Sequence, residues 1–121
     1  MIFEFSYAWY EEYEPHLFDG SAKSDSEWQE ECEQAMRDVG EDLIKSSEGW
    51  VGAPAWVEAA CKKLEEKGYK RIEPVKYEVW GSYIVSEKEF AKIVGKELFN
   101  KAIKHNKKVQ AELQEEDKNA E

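Results

Sequence analysis

Residues 2–9, IFEFSYAW, alternate in a way that predicts a β-strand with one buried face. Phe3, Phe5, Tyr7 and Trp9 fall on one side, and smaller or polar residues fall on the other. Each ring contributes about 2–3 kcal/mol when it is fully buried. We therefore expect this strand to supply much of the core, and the rest of the chain to be organised around it.

The β-structure next to this strand is less regular. A loop over residues 10–14 leads to Pro15, which suits the start or edge of a strand because it has no N–H. Residues 16–18 are then expected to form a short second strand, and the following Asp-Gly pair is a turn signal. Further strands are expected between residues 69 and 85, with a bulge or tight turn at Gly81-Ser82.

Three amphipathic helices are predicted from apolar residues at helical spacing. The first opens with the capping box Ser24-Asp25-Ser26-Glu27, and the second has Pro54 in its first turn and Gly68 at its C-terminal cap. The third opens with a second capping box over residues 86–89. The inward residues are Trp28, Cys32, Ala35, Met36, Val39 and Leu43; then Trp56, Val57, Ala60, Cys61 and Leu64; then Phe90, Ile93, Val94, Leu98, Ala102, Ile103, Val109 and Leu113.

The order β-β-α-α-β-(β)-α predicts an α+β fold. We expect a single two-layer domain over residues 1–114, with three helices on one face of a small, mainly antiparallel sheet. Residues 115–121 are polar and are expected to form a frayed C-terminal tail.

The chain has 121 residues and a net charge of -10, and the charge is unevenly distributed. Residues 1–60 carry three basic and fifteen acidic side chains, whereas residues 61–121 carry fourteen basic and twelve acidic ones. Phosphate affinity depends on Lys and Arg, so direct binding of nucleic acid by the acidic half is disfavoured. No apolar run approaches the ~20 residues of a membrane span, and the N-terminus does not resemble a signal peptide. We expect a cytoplasmic protein that does not bind membranes.

The sequence gives no support for a metal site, a cofactor or a catalytic centre. Cys32, Cys61, His16 and His105 are scattered, whereas structural zinc ligands come in closely spaced pairs. Both cysteines fall on predicted buried stripes, where free cysteine acts as a small apolar residue. No known catalytic motif occurs. A binding protein is therefore favoured over an enzyme.

Aromatic residues next to glycines offer one alternative. Trp50 and Trp80 lie beside Gly49, Gly52 and Gly81, and such segments can line a ligand pocket. Trp50, Trp80 and Tyr83 are the candidate pocket residues for a small-ligand binder or enzyme.

The acidic half motivates the main functional hypothesis, a non-catalytic protein that docks a negative face on a basic partner protein. Acidic groups would supply steering and specificity, and aromatic groups would supply affinity. A partner that binds nucleic acid would lose access to its phosphate site, as with small acidic inhibitors from phages and mobile elements. The expected partner-binding residues are Tyr10, Glu11, Glu12, Tyr13, Glu14, Glu30, Glu31, Asp38, Glu41 and Asp42.

A basic line on the third helix supports a further alternative. Lys92, Lys96, Lys104 and Lys108 are spaced in multiples of four, and Lys101 and Lys107 lie beside them. These lysines could complement the acidic first helix within one molecule or across a homodimer. The second case would make the protein a self-assembling module.

Overall fold

The computed structural model describes residues 2–9, 12–20, 22, 24–72 and 81–119. Strands and helices follow in the order β-β-α-α-β-β-α-α. The strands are β1 (Ile2–Trp9), β2 (Glu12–Asp19), β3 (Lys70–Ile72) and β4 (Gly81–Ser86). The helices are α1 (Asp25–Ser46), α2 (Ala53–Glu66), α3 (Glu87–Val94) and α4 (Lys96–Asn119).

The four described strands form one mixed sheet in the order β3-β2-β1-β4. β2 is antiparallel to both β1 and β3, whereas β4 runs parallel to β1. Because β3 is antiparallel to β2, both β3 and β4 run in the same direction as β1. The α+β class is therefore confirmed, with two antiparallel pairings and one parallel pairing among the described strands.

The predicted alternation in β1 is confirmed by the packing of the sheet on the helices. Phe3 and Phe5 are fully buried and Tyr7 is nearly so, and all three join the core with Phe18 from β2 and Val85 from β4. Trp9 is the last residue of β1, and its side chain lies outside the described residues. The aromatic side chains of β1 therefore form much of the sheet's contribution to the core.

α1 begins and packs as its sequence predicts. The Ser24 hydroxyl accepts a hydrogen bond from the Glu27 backbone N–H at 3.1 Å, which satisfies one of the free donors of the first turn. Trp28 lies on the predicted inner face, and its indole N–H donates to the Glu4 carbonyl oxygen at 2.8 Å. This bond ties α1 directly to β1.

α2 also follows the prediction. It begins after Gly52 with Pro54 in the first turn. Its five predicted inward residues are all fully buried. Gly68 follows the helix with a φ of 104°, a conformation that glycine adopts without strain.

The prediction of a single third helix is wrong. The chain breaks at Gly95, whose φ is 91°, so α3 ends there and α4 begins as a separate helix. Ser86 is the N-cap of α3, but its side chain makes no capping hydrogen bond. Ile103 and Leu113, predicted to face inward, are exposed. The structure therefore has four helices rather than three among the described residues.

Two predictions about the strands also need correction. β2 begins at Glu12, so only residues 10 and 11 separate it from β1, and the predicted loop over residues 10–14 is too long. The pair Gly81-Ser82 belongs to β4 and lies opposite Phe3 and Glu4 of β1, instead of forming a bulge or turn. In both places pairing with β1 imposes extended structure. Residues 73–80, which belong to the stretch where further strands are expected, lie outside the described residues.

None of the helices in the described part of the chain has both the length and the apolar character needed to cross a membrane. The boundary predicted at residue 114 stays a prediction.

Candidate functional site

The outer face of α1 carries most of the predicted partner-binding acids. Glu30, Asp38, Glu41 and Asp42 are exposed, whereas Glu31 is half-buried. They lie on this face because the apolar residues of α1 occupy the opposite side, against the sheet and α2. α1 contains eight acidic and two basic residues, so the helix brings a net charge of about −6 to one side of the protein.

Lysines from outside α1 neutralise part of this charge. The Lys67 ammonium lies 4.0 Å from the Glu31 carboxylate and 3.8 Å from that of Asp38. The Lys101 ammonium donates to Glu41 at 2.9 Å, and this hydrogen bond lowers the pKa of Glu41 and raises that of Lys101. Lys101 thus complements α1 within one molecule. With both lysines counted, the α1 side keeps an excess of about four negative charges.

A concave surface lies between the exposed face of α1 and the start of α4. It has a volume of about 420 Å³ and is lined by Arg37, Asp38, Glu41, Asp42, Glu97 and Leu98. Among the residues that the structure describes, neither Asp42, which lines this concavity, nor Glu30, twelve residues earlier on α1, forms an ion pair. Four carboxylates and one guanidinium line this concavity. Lys101 pairs with Glu41 and Glu97, and Lys67 pairs with Asp38, so the net charge of the concavity is about −1. Asp42 can therefore accept a lysine or arginine side chain.

The other half of the predicted acidic face is described only through its backbone. Glu12, Tyr13 and Glu14 are in β2, opposite Trp9, Ala8 and Tyr7 of β1. Their side chains, and all of Tyr10 and Glu11, lie outside the described residues. The prediction that these five residues take part in binding stays a prediction.

The segment around Trp50 is fixed to α4. Asn106 accepts a hydrogen bond from the Val51 N–H at 2.8 Å and donates to the Val51 carbonyl at 3.2 Å. His105 makes a hydrogen bond of 2.9 Å to the Gly49 carbonyl oxygen. The Trp50 side chain is 59% exposed, so it lies on the surface rather than in the core.

Tyr83 lies in a different environment. It is 7% exposed, and its hydroxyl donates to Glu33 of α1 at 3.0 Å. It borders a cavity of about 240 Å³ whose other lining residues, Gln29, Glu33, Arg37, Glu89, Lys92 and Ile93, come from α1 and α3. Trp50 does not line this cavity, and Trp80 lies outside the described residues. Among the described residues, the cavity brings Tyr83 together with charged groups rather than with tryptophan.

Replacing Tyr83 with phenylalanine is expected to lower the free energy of unfolding by about 0.5–1.5 kcal/mol near pH 7, because the hydrogen bond to Glu33 is lost. Burial, followed by the charge of Glu33, raises the pKa of Tyr83. The unfolded phenol ionises above about pH 10, so the stabilisation is complete below that pH and declines as the pH rises further. Urea unfolding of both proteins at about pH 7 and about pH 11 measures this. A stability difference that stays constant over this range would contradict the assignment.

A second polar cluster joins α2 to the sheet. The Arg71 guanidinium donates to both carboxylate oxygens of Glu58, at 2.8 and 3.0 Å, and lies 2.6 Å from His16 Nδ1. The hydrogen bond from Arg71 lowers the pKa of Glu58. Cys61, one turn along α2, has its sulfur close to the same groups. No sequence pattern indicates Glu58 or Arg71, because only the packing of α2 on the sheet brings these residues together.

Comparison of the chain with protein-family models, with characterised proteins and with solved structures gives no match. The residues themselves are therefore the basis for inferring a function.

Proposed function

We propose that this is a non-catalytic binding protein that docks the acidic face of α1 on a basic surface of a partner protein. The observation that carries the proposal is the negatively charged concavity between α1 and α4, flanked by exposed carboxylates. Lys67 and Lys101 neutralise only part of the charge. The remaining negative field would accelerate association with a basic protein and suppress binding of acidic ones.

The concavity also suggests how a partner is held. Asp38, Glu41 and Asp42 surround a space that a single lysine or arginine side chain can enter. An arginine would bind best, because its planar guanidinium can donate two parallel hydrogen bonds to one carboxylate. A partner that uses such arginines to contact phosphates would be blocked by this protein, which would then act as an inhibitor of nucleic-acid binding.

A tagged pull-down from nuclease-treated lysate of the source organism tests the proposal. A basic protein that is retained at low salt and released at high salt supports docking on the acidic face, because exposed charges are screened by salt. An eluate in which no basic protein is enriched at low salt would contradict it.

Charge reversal of two exposed carboxylates is expected to weaken binding of the captured partner at least about tenfold, mainly through slower association. The variant is Glu30→Lys with Asp42→Lys, since neither residue forms an ion pair among the described residues and the fold should tolerate both changes. Surface plasmon resonance at two salt concentrations gives the rates.

The matched control for this variant is Glu65→Lys with Glu112→Lys, which changes two exposed carboxylates on α2 and α4 by the same charge. We expect this control to bind nearly as well as the wild type. Equal losses in both variants would show that only net charge matters, and would contradict docking on α1.

Two alternatives remain proposals of lower rank. A small ligand could bind in the cavity beside Tyr83, where Arg37 and Lys92 offer positive charge, and a thermal-shift screen with Tyr83→Phe as the comparison would identify it.

Self-assembly through α1 and the lysines of α4 predicts a homodimer, and a monomer in light scattering at low salt would exclude it.

A further inference from the structure

Three potential metal-binding side chains meet at the edge of the α2–sheet interface. They are His16 on β2 and the pair Glu58 and Cys61 on α2, and their donor atoms all lie within 4.8 Å of one another. His16 faces the helices because it lies opposite Phe5, whose side chain is in the core. Glu58 and Cys61 are three residues apart, so they project from the same side of α2.

The surroundings of the three side chains differ in their access to water. Cys61 is fully buried and His16 is 6% exposed, whereas the Glu58 side chain is 42% exposed. The cluster therefore has a dry interior and one carboxylate open to solvent. An ion could enter from the side of Glu58 without disturbing the core.

A cation already contacts two of these three side chains. Arg71 donates to His16 Nδ1 and to both oxygens of Glu58. Because a guanidinium has only donors, Nδ1 acts as the acceptor in this contact. The lone pairs of the imidazole and the carboxylate are thus directed at a positive charge, which is the arrangement that a metal ion requires.

We propose that His16, Glu58 and Cys61 bind a divalent transition-metal ion of the zinc class, which displaces the Arg71 guanidinium. One nitrogen, one oxygen and one sulfur form a set that suits zinc, whereas magnesium and calcium prefer oxygen ligands alone. Zinc bonds of about 2.0–2.3 Å place tetrahedral ligands ~3.5 Å apart. Because the donor atoms lie up to 4.8 Å apart, they must approach one another by up to about 1.3 Å when the ion binds.

Binding at this site changes two groups in a defined way. The Cys61 thiol loses its proton to solvent as the sulfur–metal bond forms, so affinity rises with pH. Arg71, whose side chain is 30% exposed, moves outward to water. Three protein ligands leave a fourth position for water. The site is separate from the acidic face of α1, so a result that contradicts the metal site leaves the proposed function unaffected, and the reverse also holds.

Titration of the full chain with Co²⁺, followed by competition with Zn²⁺, tests the site. Under a non-thiol reductant we expect one ion per chain and the near-ultraviolet charge-transfer absorption of a cobalt–thiolate bond, which Zn²⁺ abolishes. The change Cys61→Ser should remove this absorption and weaken binding at least about 100-fold. His16→Gln should weaken binding while the absorption persists at saturating Co²⁺, which keeps the test valid if Cys61→Ser does not fold.

Two further variants distinguish a metal ion bound at Cys61 from one bound elsewhere on the chain. Cys32→Ser alters the other buried thiol, on α1, and should bind Co²⁺ as the wild type does. Arg71→Gln removes the competing cation and should tighten binding about tenfold or more, whereas a purely structural cluster would show no such gain. Absence of the absorption in the wild type, or its loss in Cys32→Ser instead of Cys61→Ser, would overturn the proposal.

Discussion

Replacing Trp28 with alanine is expected to lower the free energy of unfolding by about 3–5 kcal/mol. The side chain is fully buried, and its ring stacks on Phe3 at 5.1 Å and meets the edge of Tyr69 at 5.2 Å. The substitution also leaves the Glu4 carbonyl without its indole donor. Urea unfolding followed by far-ultraviolet circular dichroism measures the loss.

Trp50→Ala is the matched control, because it removes the same side chain from an exposed position. We expect this variant to unfold within about 0.5 kcal/mol of the wild type. Trp28→Phe should fall between the two, since it keeps an aromatic ring but loses the hydrogen bond to Glu4. Similar losses for Trp28→Ala and Trp50→Ala would mean that α1 is not anchored on β1 as the structure shows.

Those parts of the fold that depend on local periodicity could be predicted from the sequence. The alternation of β1 and the apolar stripes of α1 and α2 are properties of short runs of consecutive residues, so each is visible without knowledge of the partner element. The Ser24 cap and the Gly68 turn are equally local. These features together specify the α+β class.

Features that depend on pairing over long distances could not be predicted. The parallel register of β4 against β1 joins the first strand of the chain to one that follows two helices, and nothing in Gly81-Ser82 itself indicates it. Similarly, β2 is longer than its sequence suggests because β1 supplies its hydrogen-bonding partner. Gly95 interrupts an apolar stripe that continues on both sides, so the stripe hides the break between α3 and α4.

The same distinction between local and long-range features applies to the candidate site. The exposure of Glu30, Asp38, Glu41 and Asp42 follows from the helical period of α1. The partial neutralisation of these acids by Lys67 and Lys101 could not be predicted in this way, because only the tertiary fold brings those lysines close to α1. Likewise His16 and Cys61 are far apart in the chain, and only the packing of α2 on the sheet makes them neighbours.

Replacing Gly40 with valine is expected to lower the free energy of unfolding by about 3 kcal/mol, the upper end of the usual cost of overpacking. A β-carbon here would lie 2.6 Å from Trp56 Cζ2 and 3.0 Å from Leu98 Cδ1, both well inside van der Waals contact. The loss should appear although valine is a better helix former than glycine by a few tenths of a kcal/mol. Urea unfolding of the variant measures it.

The rigidity of Trp56 explains why this clash cannot be relieved at little cost. Its indole N–H donates to the Met36 carbonyl oxygen at 2.6 Å, and its ring packs edge-on against Phe90 at 5.0 Å, so the ring is held on both sides. Leu98 is only partly buried and has room to move. Leu98→Ala should therefore recover part of the stability lost in Gly40→Val, giving a non-additive double-mutant cycle.

Gly49→Val, where a β-carbon would meet nothing within 4 Å, should leave stability nearly unchanged. Strictly additive effects at Gly40 and Leu98 would show that α1, α2 and α4 do not meet at this point.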